Sequence, residues 1–327
     1  MTIKEVAEMA GVSTAAVSRY FNGGSLSEEK RKKIKKTIDK TQFIPNALAQ
    51  TMRTGKSGNI GVIIPDIKSH SMSRVLTGLV SSLENDNYYA FIGCTYGEKE
   101  KEVQFIETMQ RGSLDGIVLM GTVMTPHLKE TINDCKIPVV ITGQNFKGLT
   151  CVYHDDENAM HDMAELVLKK RKKVAFIGVN EADTATGRSR RKGVEKAFTN
   201  NGLDFSKAPR ETASFTAESG YEAGKRLVAA HPDIDGVICA SDHIAHGVMR
   251  AFKEAGKKIP EDVSVTGVGD SWADMISEPQ LTTVGLYYED CGKVAGDLLL
   301  EMINDPDRSG RINQIKLGYT IIERGSI

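Results

Sequence analysis

The chain has 327 residues, with 42 Lys and Arg against 43 Asp and Glu and a net charge of −1. That near-balance excludes a uniformly basic or acidic protein, and no apolar run reaches membrane-spanning length. Five cysteines, at 94, 135, 151, 239 and 291, are odd in number and scattered, a pattern that points to reduced thiols in cytoplasm rather than to a disulfide framework.

The charge is unevenly placed. Residues 1–58 hold 11 Lys and Arg against 5 Asp and Glu, a local +6 that leaves −7 to the rest. Within this basic end, Thr2 and Glu5 have capping-box spacing, and Ile3, Val6, Ala7 and Ala10 recur on one helical face. Gly11 permits a reversal, Ser13 is placed to cap a second helix, and Ala16, Val17 and Phe21 turn inward while Thr14, Ala15, Ser18 and Arg19 stay outward. Ser27 is placed to cap a third helix, with Glu28 and Glu29 in its first turn and Ile34 and Ile38 closing a small core. The run from Lys30 to Lys36 reads as a solvated helix face or, beside a reading helix, as a set of phosphate contacts. A segment from Pro45 to Met52 follows, too short to form a helix alone in water.

Beyond Gly58 short apolar runs alternate with helical patterns: 60–64, 89–94, 116–120, 139–142, 174–179, 236–240 and 263–268. Buried parallel strands joined by crossover helices read this way, and about 270 residues suit two sub-domains.

The stretches TIKEVAEMAGVSTAAVSRYFNG, LSEEKRKKI and PNALAQTMRTGKSGNIGVIIPDI resemble the LacI/GalR family of bacterial transcription regulators. The resemblance runs the length of the chain. It implies an all-α helix-turn-helix head plus an α/β periplasmic-binding-protein-like core of two doubly wound lobes. Residues 1–44 would be the DNA-binding domain, 45–58 a hinge helix and linker, and 59–327 the effector-binding and dimerisation core. Lobe 1 would hold about 60–157 and 288–312, and lobe 2 about 158–287 and 313–327, with the final strand in lobe 2.

The same resemblance assigns roles. Thr14, Ala15 and Arg19 would face base edges in the major groove, Arg19 able to donate two bonds to a guanine. Asn46, Ala47, Ala49 and Met52 would form the minor-groove hinge, Met52 standing where relatives place a Leu wedge. An effector cleft would draw on Asp66, Met72, Arg190, Phe215, Ser241, Asp242, Asp270 and Trp272. A core Phe at 215, a buried Trp at 272, and helix capping at 66, 241 and 242 fit the sequence as well. Gly143 and Gly269 stand where relatives carry pocket aspartates, which leaves Gln144 and Asn145 to offer neutral bonds.

The function implied is that of a repressor of carbohydrate-utilisation genes, cytoplasmic, binding a pseudo-palindromic operator as a homodimer and released by a small sugar or sugar phosphate. A global catabolite-type regulator controlled by a partner protein or co-repressor is the alternative. Tetrameric relatives carry an additional Leu-rich helix after the last strand; here that strand leads to Glu323-Arg-Gly-Ser-Ile327, which implies a dimer whose interface lies near Met72 and Thr122–Leu128. No cofactor, metal or membrane partner is expected. Catalysis is disfavoured, since Gly55-Lys56-Ser57 lacks the upstream Gly of a phosphate loop and no Gly-x-Ser-x-Gly elbow occurs.

Overall fold

A computed structural model describes residues 1–21, 23–43, 51, 55–112, 114–305, 307 and 310–327. The expected hinge residues Asn46, Ala47, Ala49 and Met52 lie outside that set. The chain divides into two compact units, Met1–Gly58 and Asn59–Ile327.

The first unit contains α1 (Ile3–Ala10), α2 (Thr14–Phe21) and α3 (Glu28–Thr41). The capping box is formed: Glu5 N donates to Thr2 Oγ1, and Thr2 N donates to Glu5 Oε2 at 2.7 Å. Gly11 ends α1 at φ 65°, a left-handed turn that costs a side-chain-free residue little. Val6, Ala7, Ala10, Ala16, Val17, Ile34 and Phe43 are the core of this unit. One expectation needs correction. Ser27 occupies the cap position of α3 but its side chain makes no capping bond; the helix start relies on Glu28 and Glu29 near its positive end.

The second unit holds two six-stranded sheets. The first is ordered β11-β5-β4-β3-β1-β2 and is parallel throughout, built from β1 (Asn59–Ile64), β2 (Tyr89–Cys94), β3 (Gly116–Leu119), β4 (Val139–Thr142), β5 (Cys151–His154) and β11 (Gln314–Leu317). The second is ordered β12-β10-β9-β8-β6-β7, from β6 (Val174–Gly178), β7 (Arg210–Thr212), β8 (Gly236–Cys239), β9 (Ser264–Val268), β10 (Thr282–Leu286) and an antiparallel edge, β12 (Tyr319–Ile322). The inner strands β1, β3, β4, β6, β8, β9 and β10 are buried almost end to end, as parallel strands covered on both faces must be.

Helices α4 (His70–Asn85), α5 (Lys99–Arg111), α6 (Pro126–Asp134) and α12 (Tyr288–Asn304) pack with the first sheet; α7 (Asp156–Lys170), α8 (Arg190–Asn200), α9 (Ala217–Ala230) and α10 (Asp242–Glu254) pack with the second. Glycine sets the closest approaches. A Cβ on Gly78 of α4 would stand 1.8 Å from the Glu289 carbonyl, and one on Gly292 of α12 would stand 1.9 Å from that of Val75. Only hydrogen at both positions lets these two helices touch backbone to backbone.

The chain passes between the sheets three times: from β5 into α7, from β10 into α12, and from β11 into β12 through Gly318 alone. This differs from the expected lobe boundary at 313. Gln314–Leu317 extends the first sheet by pairing with β5, and only Tyr319–Ile322 joins the second.

Candidate DNA-reading face and inter-lobe cleft

On α2 the buried positions are Ala16 and Val17, which pack on α1 and α3. Helical periodicity therefore turns Thr14, Ala15 and Arg19 outward, and all three are exposed. Ser13 fixes the start of the helix by accepting from Ala16 N at 3.3 Å. The Arg31 guanidinium of α3 lies 5.8 Å from the Tyr20 ring centroid, tying the second and third helices. Lys30, Lys32, Lys35, Lys36 and Lys40 are exposed along α3, and Lys33 pairs with Glu29 at 2.6 Å. An exposed α2 face with a threonine hydroxyl, a methyl and a guanidinium, beside a row of cations, suits base edges flanked by phosphates.

In the second unit, strand C-termini of both sheets converge where the crossovers run, the place where open α/β sheets hold ligands. Arg190 opens α8 and is 4% exposed. Its Nε donates to Asp156 Oδ1 at 2.7 Å and its Nη1 donates to the Ala240 carbonyl at the end of β8. Tyr288, at the start of α12, lies beside Arg190, and burial raises that phenol to about 12. Arg190 thus joins the first crossover, the second crossover and the second sheet. The His154 ring packs edge-on against Tyr288 at 5.2 Å; its Nε2 is buried with no hydrogen-bond partner among the described residues, and burial lowers its pKa.

Ser241 caps α10 by accepting from Ile244 N. Asp242 is 2% exposed and accepts from Thr283 Oγ1 and from Ser271 N. Its carboxyl contacts that of Asp274, which is wholly buried and accepts from Ser271 N at 2.6 Å and pairs with His246 Nε2 at 2.7 Å. Burial, with Asp274 alongside, pushes Asp242 well above the usual carboxylate range. Burial acts on Asp274 in the same sense but is outweighed by the hydrogen bonds from His246, Asp242 and Ser271, which hold it below that range. His246 is thus engaged by Asp274, and among the described residues no group of His, Cys, Asp or Glu is arranged to hold a metal.

The other expected cleft residues are scattered. Asp270 sits at φ 50° and is bound by Arg324 Nη2 at 2.6 Å. Asp66 is exposed and accepts from Lys68 N, a turn interaction. Met72 is half-buried against the core. Phe215 is 50% exposed, so it is not a core residue. Trp272 is 63% exposed on the short helix α11 (Trp272–Ile276), beside the exposed Met275 and Ile276, which rules out a buried hinge tryptophan.

Sequence reasoning missed Asp156, Asp183 and Asp274 as partners in this region. Asp183 caps a π-helical turn, Thr184–Ser189, by accepting from Thr186 N at 3.0 Å, and that turn delivers Arg190. Gln144, named only as a neutral bonder, bridges the lobes: Nε2 donates to Asp183 Oδ1 at 2.8 Å and Oε1 accepts from Ala185 N at 3.0 Å.

A helix-turn-helix unit with a free second helix, followed by a two-sheet core with strand ends facing across crossovers, defines a DNA-binding regulator with a periplasmic-binding-protein-like core. Residues 2–46 match the profile described as bacterial regulatory proteins, lacI family, and residues 163–327 that of a periplasmic binding protein-like domain. The chain belongs to the lacI family of bacterial regulatory proteins, which are transcription regulators and not enzymes. It is 30% identical to the HTH-type transcriptional regulator RegA of Clostridium saccharobutylicum, over 99% of this chain and 98% of that protein. It is 31% identical to the sucrose operon repressor of Staphylococcus xylosus, over 92% and 93% respectively. The lac repressor dimer bound to operator and the anti-inducer ONPF has the same fold, with a TM-score of 0.87 and 20% identity over 100% of this chain and 98% of that one.

Proposed function

We propose that the protein represses carbohydrate-utilisation genes by binding a pseudo-palindromic operator as a homodimer, and that a small sugar in the inter-lobe cleft releases it. The observation that carries the DNA half is the outward face of α2, where Thr14, Ala15 and Arg19 are exposed while their neighbours hold the helix to the head. Arg19 reads a guanine, Thr14 and Ala15 read adjacent bases, and the α3 lysines contribute salt-dependent phosphate contacts. Likeness to the sucrose operon repressor supports the choice of carbohydrate.

Exposed apolar side chains support the dimer. Tyr89, Phe91 and Ile92 line the free edge strand β2, and Trp272, Met275 and Ile276 crowd α11. An uncovered edge of this kind invites pairing. These residues lie outside the region near Met72 and the Thr122–Leu128 segment, from which an interface was expected. Two copies present two recognition helices to two half-sites one helical turn apart. The protein works in the cytoplasm, where the operator is.

Footprinting on DNA flanking sugar-utilisation genes, with and without a panel of mono- and disaccharides and their phosphates, tests the proposal. The expected result is a protected two-fold site that one sugar clears. Protection of no site, or turnover of a panel sugar by the pure protein, would overturn it.

A further inference from the structure

We propose that Gln144 is an inter-lobe latch whose carboxamide takes the bonding positions of a ligand's hydroxyl pair. Gln144 follows β4 in the first lobe and is 3% exposed, yet both of its polar atoms bond the second lobe. The amide nitrogen donates a hydrogen bond to the Asp183 carboxylate, and the amide oxygen accepts one from Ala185 N. Asp183 and Ala185 flank the turn that leads into Arg190. The second lobe therefore presents one acceptor and one donor side by side, facing the cleft. A vicinal diol satisfies such a pair, one hydroxyl donating to the carboxylate and the other accepting from the amide. In this chain Gln144 supplies both bonds itself.

The consequence is that the lobes are bridged without an effector, and that an effector using this corner must displace Gln144. A second bridge points the same way: Arg74 of α4 reaches the carbonyls of Gly269 and Asp270 across the cleft at 3.4 and 3.5 Å. Gly143 and Gly269 adjoin these two contacts, with φ of 78° and 146°, in a region where L side chains are strained. The latch itself needs no sugar; only its displacement by a hydroxylated ligand rests on the effector reading above.

Amide hydrogen exchange of the full-length protein, in the absence of sugar and DNA, reads the latch directly. Ala185 N–H is one of its bonds, whereas Thr186 N–H is held by Asp183 within the second lobe. In Gln144→Ala, Ala185 should exchange roughly tenfold faster while Thr186 is unchanged. Unchanged exchange at Ala185 overturns the latch, and so does a parallel rise at Thr186, which would mean that the turn had merely unravelled. Gln144→Glu sets a carboxylate against Asp183 and should open the latch at neutral pH. A sugar panel that finds no effector leaves these exchange rates untouched, so the two readings fail separately.

Discussion

Arg190 shows how a side chain's partners settle its first duty. A guanidinium at a cleft can grip a ligand, but this one is spent on Asp156, the Ala240 carbonyl and Tyr288. Removing one member of a buried ion pair strands the other in low dielectric, so Arg190→Ala should destabilise the core by about 3–5 kcal/mol in denaturant unfolding. Unchanged stability with a lost sugar response would instead make it chiefly a ligand contact. Glu102 offers a different test. It is 4% exposed on α5, and burial raises it to about 7, with Lys99 opposing only weakly. Between its ordinary value of 4.5 and about 7, the folded protein holds a proton that the unfolded chain has released. Stability from this group is therefore full at acid pH and is lost as pH rises through about 7. Glu102→Gln should raise stability by roughly 1–3 kcal/mol at pH 8 and change little at pH 4, as read from melts at the two pH values.

At the scale of elements, caps separate residues that look alike in sequence. Thr2 and Ser27 both precede helices with glutamates in the first turn, but only Thr2 exchanges bonds with its helix. Thr2→Ala should cost the head about 1 kcal/mol, and Ser27→Ala only a few tenths, measured by exchange of head amides in the intact chain. Equal losses would mean that Ser27 caps in solution. The same comparison marks what local pattern can carry. Strands β1, β3, β4, β6, β8 and β9 were legible because a strand buried on both faces reads as a continuous apolar run. The strands Cys151–His154, Arg210–Thr212 and Thr282–Leu286 were not, being short or rich in polar residues. Arg190 follows from the family resemblance, whereas Asp156 lies 34 positions away and Asp183 reaches Gln144 over 39. Contacts of that span leave no periodic trace. Gln-Ile-Lys-Leu-Gly-Tyr-Thr-Ile-Ile likewise reads as one strand, and its division is decided by the open edges of two different sheets.

At the scale of the molecule, regulation requires that the state of the core alter the affinity of the head for DNA, typically by 1–3 kcal/mol of coupling. Pairing of two copies is how a hinge at each head would be held in register with its operator. Phe91→Glu places a charge in the middle of the exposed β2 edge and should leave the melt of the core unchanged while shifting sedimentation from dimer towards monomer. A variant that remains dimeric at micromolar concentration would move the interface elsewhere. If a sugar releases the protein as proposed, operator DNA and effector must by reciprocity weaken one another by the same factor.

Gly318 gives the core its mechanics. Leu317 is stitched into one sheet and Tyr319 into the other, so one residue spans the whole seam at the third crossing. At this crossing a twist of one lobe on the other falls on the two backbone torsions of that position, which behaves like a pin in a door. A methyl there would meet only the edge of the Tyr287 ring, at 3.7 Å. Gly318→Ala should thus keep the hinge plates intact and stiffen the swing, slowing the traffic between the two poses of the core more than it changes either pose.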